Sequence, residues 1–295
     1  MDTILPSQPE PYSILLKRSL ILYFRGFSKA IIFSLLLALV IFTPRLFADI
    51  TGRDIFLGIS GTNPRRLWLF VFDIISMLFS IAIYWHLFCV LRNKDEPLAE
   101  DFARGIKKVL HVFLATLIQG IILLAVTVVI YGILFLLYQY RVFHLESVSQ
   151  MNIWRTLFLM VILLSQLFLI MYVTTLFVFI VPIIVIENNG VLPALEKSAS
   201  LVWNHWWRTF SLQITPWFFY LITLLVIRFI IRINIHIYFF EQGTHTILTT
   251  IMNILIFALF IPWIASAVIV QLRDLELRKE IHNQLHEAKL KHKST

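Results

Sequence analysis

The sequence predicts an all-α polytopic membrane protein: six transmembrane helices with amphipathic helices at the cytoplasmic interface. Three observations predict it. Hydrophobic residues make up 59% of the 295-residue chain and charged residues only 14%, against about 25% charged in an average globular domain. The apolar residues fall into six runs, each long enough for a bilayer crossing of about 18 residues or more. The basic residues gather where those runs end, which is the positive-inside pattern rather than a nucleic-acid-binding one. The formal charge of +8 therefore suggests contact with anionic headgroups and no nucleic acid.

Residues 1–28 are read as a cytoplasmic segment with an interfacial helix. Pro6, Pro9 and Pro11 keep its start irregular. Lys17, Arg18 and Arg25 then mix with aliphatic and aromatic residues, as in a surface-lying helix. The stretch is too long and too apolar for a secretory leader, so a retained first span is expected at 29–49. Further spans are expected at 67–91, 112–138, 156–186, 209–231 and 246–271, within a membrane domain covering 29–271. Loops are expected at 50–66, 139–154 and 232–245.

Two more interfacial helices are expected, at 96–111 and 191–207. In the first, Leu98, Phe102, Ile106, Val109 and Phe113 share a face, and Glu100, Asp101, Arg104, Lys107 and Lys108 take the rest. Asp95-Glu96 and Glu100-Asp101 are read as solvated. In the second, Leu195, Ala199, Val202 and Trp206 oppose Glu196, Lys197, Ser200 and Asn204. Trp203, Trp206 and Trp207 suit the headgroup level. The tail, 272–295, carries Leu277, Ile281 and Leu285 at four-residue spacing, which fits a short coiled-coil strip or a stalk against the cytoplasmic face. With both termini inside, 17 of the 25 Lys and Arg residues lie on the cytoplasmic side and 8 outside.

The chain then divides into three units of interfacial helix plus two spans, at 12–91, 96–186 and 191–271. Lys17-Arg18-Ser19 lies over Glu196-Lys197-Ser198, and Gly105 takes the serine's place in the middle unit. The alternative is that any cytoplasmic loop between spans tends to be amphipathic.

No enzyme signature is present. There is no His-Glu-x-x-His pair, nucleophile elbow or phosphate loop, so no catalytic residue, metal or cofactor is expected. Cys89 reads as a small buried apolar residue. His282 and His286, four residues apart, make only a weak metal pair. The closing Lys291-His292-Lys293-Ser294-Thr295 matches a K-x-K-x-x retrieval pattern, which a basic tail also meets by chance.

Asp73 is the one acidic residue well inside a span, at an insertion cost of about 2.5–3.5 kcal/mol at mid-bilayer. Asp73, Ser76, Ser80 and Tyr84 share a helix face, giving a polar stripe toward the bundle interior. Arg228 lies at similar depth and is the expected ion-pair partner of Asp73; the competing reading is an Asp73 that reaches water. Pro182, Pro216 and Pro262 sit in inner halves of spans, where kinks open cavities in some transporters, although prolines are common in membrane helices.

The most informative stretch is 181–208. Val181-Pro182-Ile183-Ile184-Val185-Ile186-Glu187-Asn188-Asn189-Gly190, then Ala194-Leu195, Ser198, Leu201-Val202 and Trp206-Trp207-Arg208, resembles a pattern of the six-span YciC-like bacterial inner-membrane proteins. It is also similar to the membrane domain preceding some glycerophosphodiester phosphodiesterases, whose catalytic domain is missing here. The resemblance implies a bacterial inner-membrane location and little mechanism. By residue chemistry, Pro182 ends a helix, Asn188 and Gly190 permit a turn, and Ala194 and Ser198 allow close packing. Glu187, unfavourable at a helix C-terminus, requires a cation, with Lys197 or Arg208 in reach.

The expected function is non-enzymatic: membrane or envelope organisation, through assembly with lipids or other membrane proteins. The alternative is a transporter of a small solute or lipid along the Asp73 stripe. A water-filled cavity at Asp73 would favour the alternative, and a dry bundle the first.

Overall fold

The computed structural model describes residues 4–51, 65–139, 153–232 and 247–293. The loops expected at 50–66, 139–154 and 232–245 fall almost entirely outside them, as do Ser294 and Thr295. Among the described residues there are eight α-helices: α1 (Tyr12–Thr51), α2 (Arg65–Leu91), α3 (Leu98–Gln139), α4 (Ile153–Leu176), α5 (Ile180–Ile186), α6 (Val191–Val202), α7 (Trp206–Val226) and α8 (Ile247–Lys293). A 3₁₀ turn joins α6 to α7, and a π turn at Ile227–Ile231 ends α7. There is no strand among the described residues. Six helical stretches are long and apolar enough to cross a membrane, with α4–α5 and α6–α7 each acting as one.

Three of the helices are much longer than a crossing. At 1.5 Å per residue, the 40 residues of α1, 42 of α3 and 47 of α8 extend about 60–70 Å, against a hydrocarbon core of about 30 Å. The surface helices expected at 12–28 and 96–111 begin at Tyr12 and Leu98 and continue without a break into the spans that follow. Residues 272–293 likewise prolong the sixth span. Only the third unit has a distinct helix ahead of its span, namely α6. Pro11 and Pro97 stand just before α1 and α3, where a missing N–H costs nothing. Glu100 and Asp101 in the first turn of α3 complement its dipole.

Of the apolar stripe expected on α3, Phe102 and Ile106 point away from the protein, while Leu98 and Val109 pack against the two cores. Phe102, Ile106, Leu110, Leu114 and Leu117 are exposed, whereas Asp101, Gly105, Val112 and Ala115 are buried. The reason is closeness: a Cβ on Gly105 would lie 2.9 Å from the Leu78 backbone carbonyl. The small and polar face of α3 therefore meets α2, and the bulky face is left outside.

The bundle is built on α8, which packs along α1 and also meets α7, α2 and α6. One core joins Phe179, Ile180, Ile183 and Ile184 to Leu195, Val202 and Leu272. A second joins Leu15, Leu22, Leu37, Leu87 and Ile269. Helices α3 and α4 lie at the periphery. The three positions aligned across the units, Ser19, Gly105 and Ser198, are all buried. Most hydroxyls in the long helices donate to carbonyls one turn back, as Thr43 does to Leu39 and Thr223 to Phe219, so they need no water.

Gly26 and Gly105 differ in what crowds them. A Cβ on Gly26 would come within 2.7 Å of Leu87 Cδ2, the tip of a side chain that can rotate. Gly→Ala in a helix gains about 1 kcal/mol of propensity, so Gly26→Ala is expected near neutral. Gly105→Ala drives against backbone and is expected to lose about 1–3 kcal/mol. Thermal unfolding of both variants in the same detergent checks the order.

Candidate functional site

The polar chemistry concentrates at the end of the bundle that carries both chain termini. It starts from a helix break. Pro182 has no N–H and its ring crowds the preceding turn, so α4 stops at Leu176 and α5 restarts at Ile180. Tighter bonds span the interruption, from Phe177 N–H to the Thr174 carbonyl and from Ile180 N–H to the Phe177 carbonyl. Ser198 adds two more bonds. Its hydroxyl donates to the Leu176 carbonyl at 2.7 Å and accepts the Phe179 N–H at 3.3 Å, fully buried. The expected bend at the end of the fourth apolar run thus falls upstream of Pro182.

Helix α6 is held against this break by Ala194, Leu195, Ser198, Leu201 and Val202, all buried at three- and four-residue spacing. Asn188 makes the turn with φ 61°, whereas Gly190 is extended and caps α6. The asparagine, not the glycine, supplies the left-handed conformation. Trp206 does not sit at a surface. It is buried, stacks on Phe210 at 5.1 Å and donates Nε1 to the Tyr172 carbonyl at 3.2 Å. Trp203 and Trp207 are the exposed pair.

Two charged networks join α6 and α7 to α8. In the first, Lys197 Nζ lies 2.8 Å from both oxygens of Glu187 and 2.5 Å from Glu276. Of the two cations expected for Glu187, the structure places Lys197 there. Burial holds the Glu187 carboxyl above its ordinary 4.5 despite Lys197, helped by Glu276 beside it. Lys197 is raised from 10.5, because its two carboxylates outweigh burial.

In the second network, Asp274 is fully buried. It accepts the Glu10 N–H at 2.8 Å, Arg278 Nε at 2.9 Å and Arg208 Nε at 3.2 Å. Arg208 and Arg278 also both donate to the Glu10 carbonyl. Arg18 grips the Glu10 carboxylate through two 2.6 Å bonds. The segment before α1 is thereby clamped to α7 and α8. Burial, then the Arg278 and Arg208 charges, push the neighbouring His205 imidazole down from 6.5.

Two grooves flank the start of the α8 extension. One, about 570 Å³, is lined by Lys197, Ser200, Arg273, Glu276 and Lys279 among others. The other, about 470 Å³, is lined by His205, Arg278, Lys279, Ile281, His282 and Leu285 among others. The second contains cations and apolar side chains and no acid. Leu277 is buried while Ile281 and Leu285 are exposed, so only the first of these three leucine-type positions is covered.

The expected intramembrane stripe is not an interior path. Asp73 is exposed on α2. Ser76 Oγ donates to the Asp73 carbonyl at 2.7 Å and Ser80 Oγ to the Ser76 carbonyl at 3.0 Å. Tyr84 is partly buried among apolar neighbours. The structure does not bring Asp73 and Arg228 together. Arg228 lies in the π turn after α7, and α7 packs on α8, α4 and α1 rather than on α2. Asp73 lines neither groove, and Pro182, Pro216 and Pro262 are buried without lining them.

Sequence reading passed over Glu10, Asp274 and Glu276, and misplaced Asp101. Asp101, read as solvated, is fully buried, with its Oδ2 in a hydrogen bond to His86 Nδ1 at 3.0 Å. Its neighbours Lys107 and Lys108 suggested water, but it faces α2. Asp274 carried a usable signal: an acid between Leu272 and Leu275, in phase with a buried face.

The three contacts predict a ranking. Asp274→Ala strands two arginines and is expected to cost about 3–5 kcal/mol. Ser198→Ala leaves two buried backbone groups unbonded, about 1–3 kcal/mol. Glu187→Gln costs under about 1 kcal/mol at neutral pH, because the pair is partly exposed and Glu276 keeps Lys197 paired. For a raised carboxyl the folded form holds more protons, so stability present below pH 4.5 falls as pH rises through the folded pKa. Glu187→Gln removes that fall, and thermal unfolding across pH checks both order and slope.

Neither a family model, nor a curated protein, nor a solved structure matches the chain.

Proposed function

We propose that the chain is a non-enzymatic multi-pass protein of the bacterial inner membrane, with both termini in the cytoplasm. It organises the membrane by holding anionic lipid headgroups at its charged end, alone or with another membrane protein. The observation that carries this reading is the acid-free groove beside α8. There Arg278, Lys279 and the two histidines stand next to Leu201, Ile281 and Leu285, a pairing that suits a phosphate with an acyl chain. Exposed Trp203 and Trp207 lie nearby in sequence and suit the headgroup level. The outward apolar faces of α3 and α4, such as Leu124, Val128, Leu163 and Leu167, suit acyl chains over the rest of the bundle.

The transport reading draws less support, since the Asp73 stripe bonds to its own helix backbone. The membership suggested by the 181–208 pattern stays a proposal. It is supported by the roles of Pro182, Ser198 and Trp206 in seating α6.

Two experiments test the reading. Native mass spectrometry in mild detergent, with added phosphatidylglycerol or phosphatidylcholine, is expected to show preferential phosphatidylglycerol adducts. Lys279→Ala with His282→Ala should reduce them several-fold, while equal retention of both lipids overturns the headgroup role. A reporter fused after Thr295 that is active only in the cytoplasm should be active. Activity of an export-dependent reporter there would reverse the topology.

A further inference from the structure

A second cluster lies apart from the charged end's two networks, where α2 turns into α3. The turn uses Asn93 at φ 53° and brings the last turns of α2 against the first turns of α3. Gly105 permits that approach, because its missing Cβ leaves room for the Leu78 carbonyl. The result is a convergence of three side chains from different positions. One ligand-type atom each of Cys89, Glu96 and Asp101 lies within 4.8 Å of the others. Cys89 and Asp101 are buried, and Glu96 is partly exposed at the rim.

An independent observation shows that the cluster is incomplete as a set of protein groups. Asp101 is fully buried, and its Oδ2 takes His86 Nδ1 at 3.0 Å. Its Oδ1 is buried with no hydrogen-bond partner. A carboxylate oxygen sealed from water without a donor is costly, by about 1–3 kcal/mol or more for a charged group. An ion supplies what no neighbouring donor does. Glu96 is oriented by the Trp85 indole, Nε1 to Oε2 at 3.0 Å, and Arg104 lies over the Trp85 ring at 4.3 Å.

We propose that Cys89, Glu96 and Asp101 bind one divalent cation of the zinc type, with His86 as the positioning residue that holds Asp101. The ligand set points to that class. A thiolate with carboxylates and a nearby imidazole suits a borderline-soft ion, and oxygen-only ions such as magnesium make no use of sulfur. With Zn–S near about 2.3 Å and Zn–O about 2.1 Å, tetrahedral ligand edges are about 3.5 Å. The 4.8 Å limit on the cluster leaves about an ångström of inward side-chain movement to reach that spacing. On binding, the Cys89 thiol proton leaves to solvent and the metal–sulfur bond replaces the S–H. Three anionic ligands on a divalent ion leave one net negative charge. The fourth coordination position is left to water. His86 bonding to a ligand carboxylate is the outer-shell arrangement that fixes ligand orientation.

The test uses the full chain, purified in mild detergent, stripped with chelator and titrated with cobalt(II). Binding at this site gives one equivalent of tetrahedral cobalt with a thiolate-to-cobalt charge-transfer band in the near ultraviolet, displaced by zinc. No band in the wild-type chain overturns the proposal whatever the variants do. Cys89→Ser is expected to abolish the band, and Asp101→Asn to weaken binding at least about tenfold. His86→Ala should weaken it about tenfold and His86→Gln should restore most of the loss. The double variant His282→Ala with His286→Ala should leave the band unchanged. A band that survives Cys89→Ser, or that follows the tail histidines, assigns the metal elsewhere and overturns the site.

Discussion

The hydroxyl of Ser198 is the contact on which the most distinctive part of this architecture depends. In apolar surroundings every backbone N–H and carbonyl must find a partner. A proline in a long helix breaks that condition, and Pro182 does so deep among buried isoleucines. The break is tolerated because a second helix brings one small polar side chain to the open carbonyl of Leu176 and the N–H of Phe179. Everything that makes α6 fit follows from this seat. Ala194 is small enough for close approach, Asn188 takes the left-handed turn, and Trp206 plugs the side of the gap against Tyr172. Once α6 is seated, Lys197 faces Glu187 and Glu276, and α8 is drawn into the same assembly.

The six apolar stretches were legible because hydropathy over some 20 residues reports a property of the whole segment. What residues do at the ends of those stretches was less legible, because it depends on phase. Trp203, Trp206 and Trp207 look alike as a headgroup cluster. Only Trp206 continues the spacing set by Leu195 and Val202, and it alone is buried. Asp101 was lost for the same reason: charge in its neighbourhood suggested water, while its phase on α3 pointed at α2. The stripe of Phe102 and Ile106 showed that α3 is two-faced, but not which face the protein takes. Close packing through Gly105 decided that.

The clamp on Glu10 belongs to a third kind of information. Its members are at 10, 18, 208, 274 and 278, and no local pattern links them. They meet only because α1, α7 and α8 come together at one end. Glu187 was different, since its position at a helix end already called for a cation, and its partner is only ten residues away. Asp73 invited a long-range pairing of the same sort. There the helices it would have joined share no extensive contact, and the serines beneath it bond to the backbone instead.

The continuity of α8 has a mechanical consequence. It runs as one helix from Ile247 to Lys293, with Pro262 inside it and the Ser266 hydroxyl donating to the Pro262 carbonyl. At its start Thr250 bonds to Asp49 of α1, and about 35 Å further along Asp274 anchors the Glu10 clamp. Such a rod, unbroken apart from the proline within it, has few places in which to dissipate a displacement. A load applied to the exposed positions beyond Glu280 would be felt first at the arginine clamp and then as a tilt of α1 and α8 together at the opposite end. The two ends of the bundle are therefore joined as a stiff lever joins them.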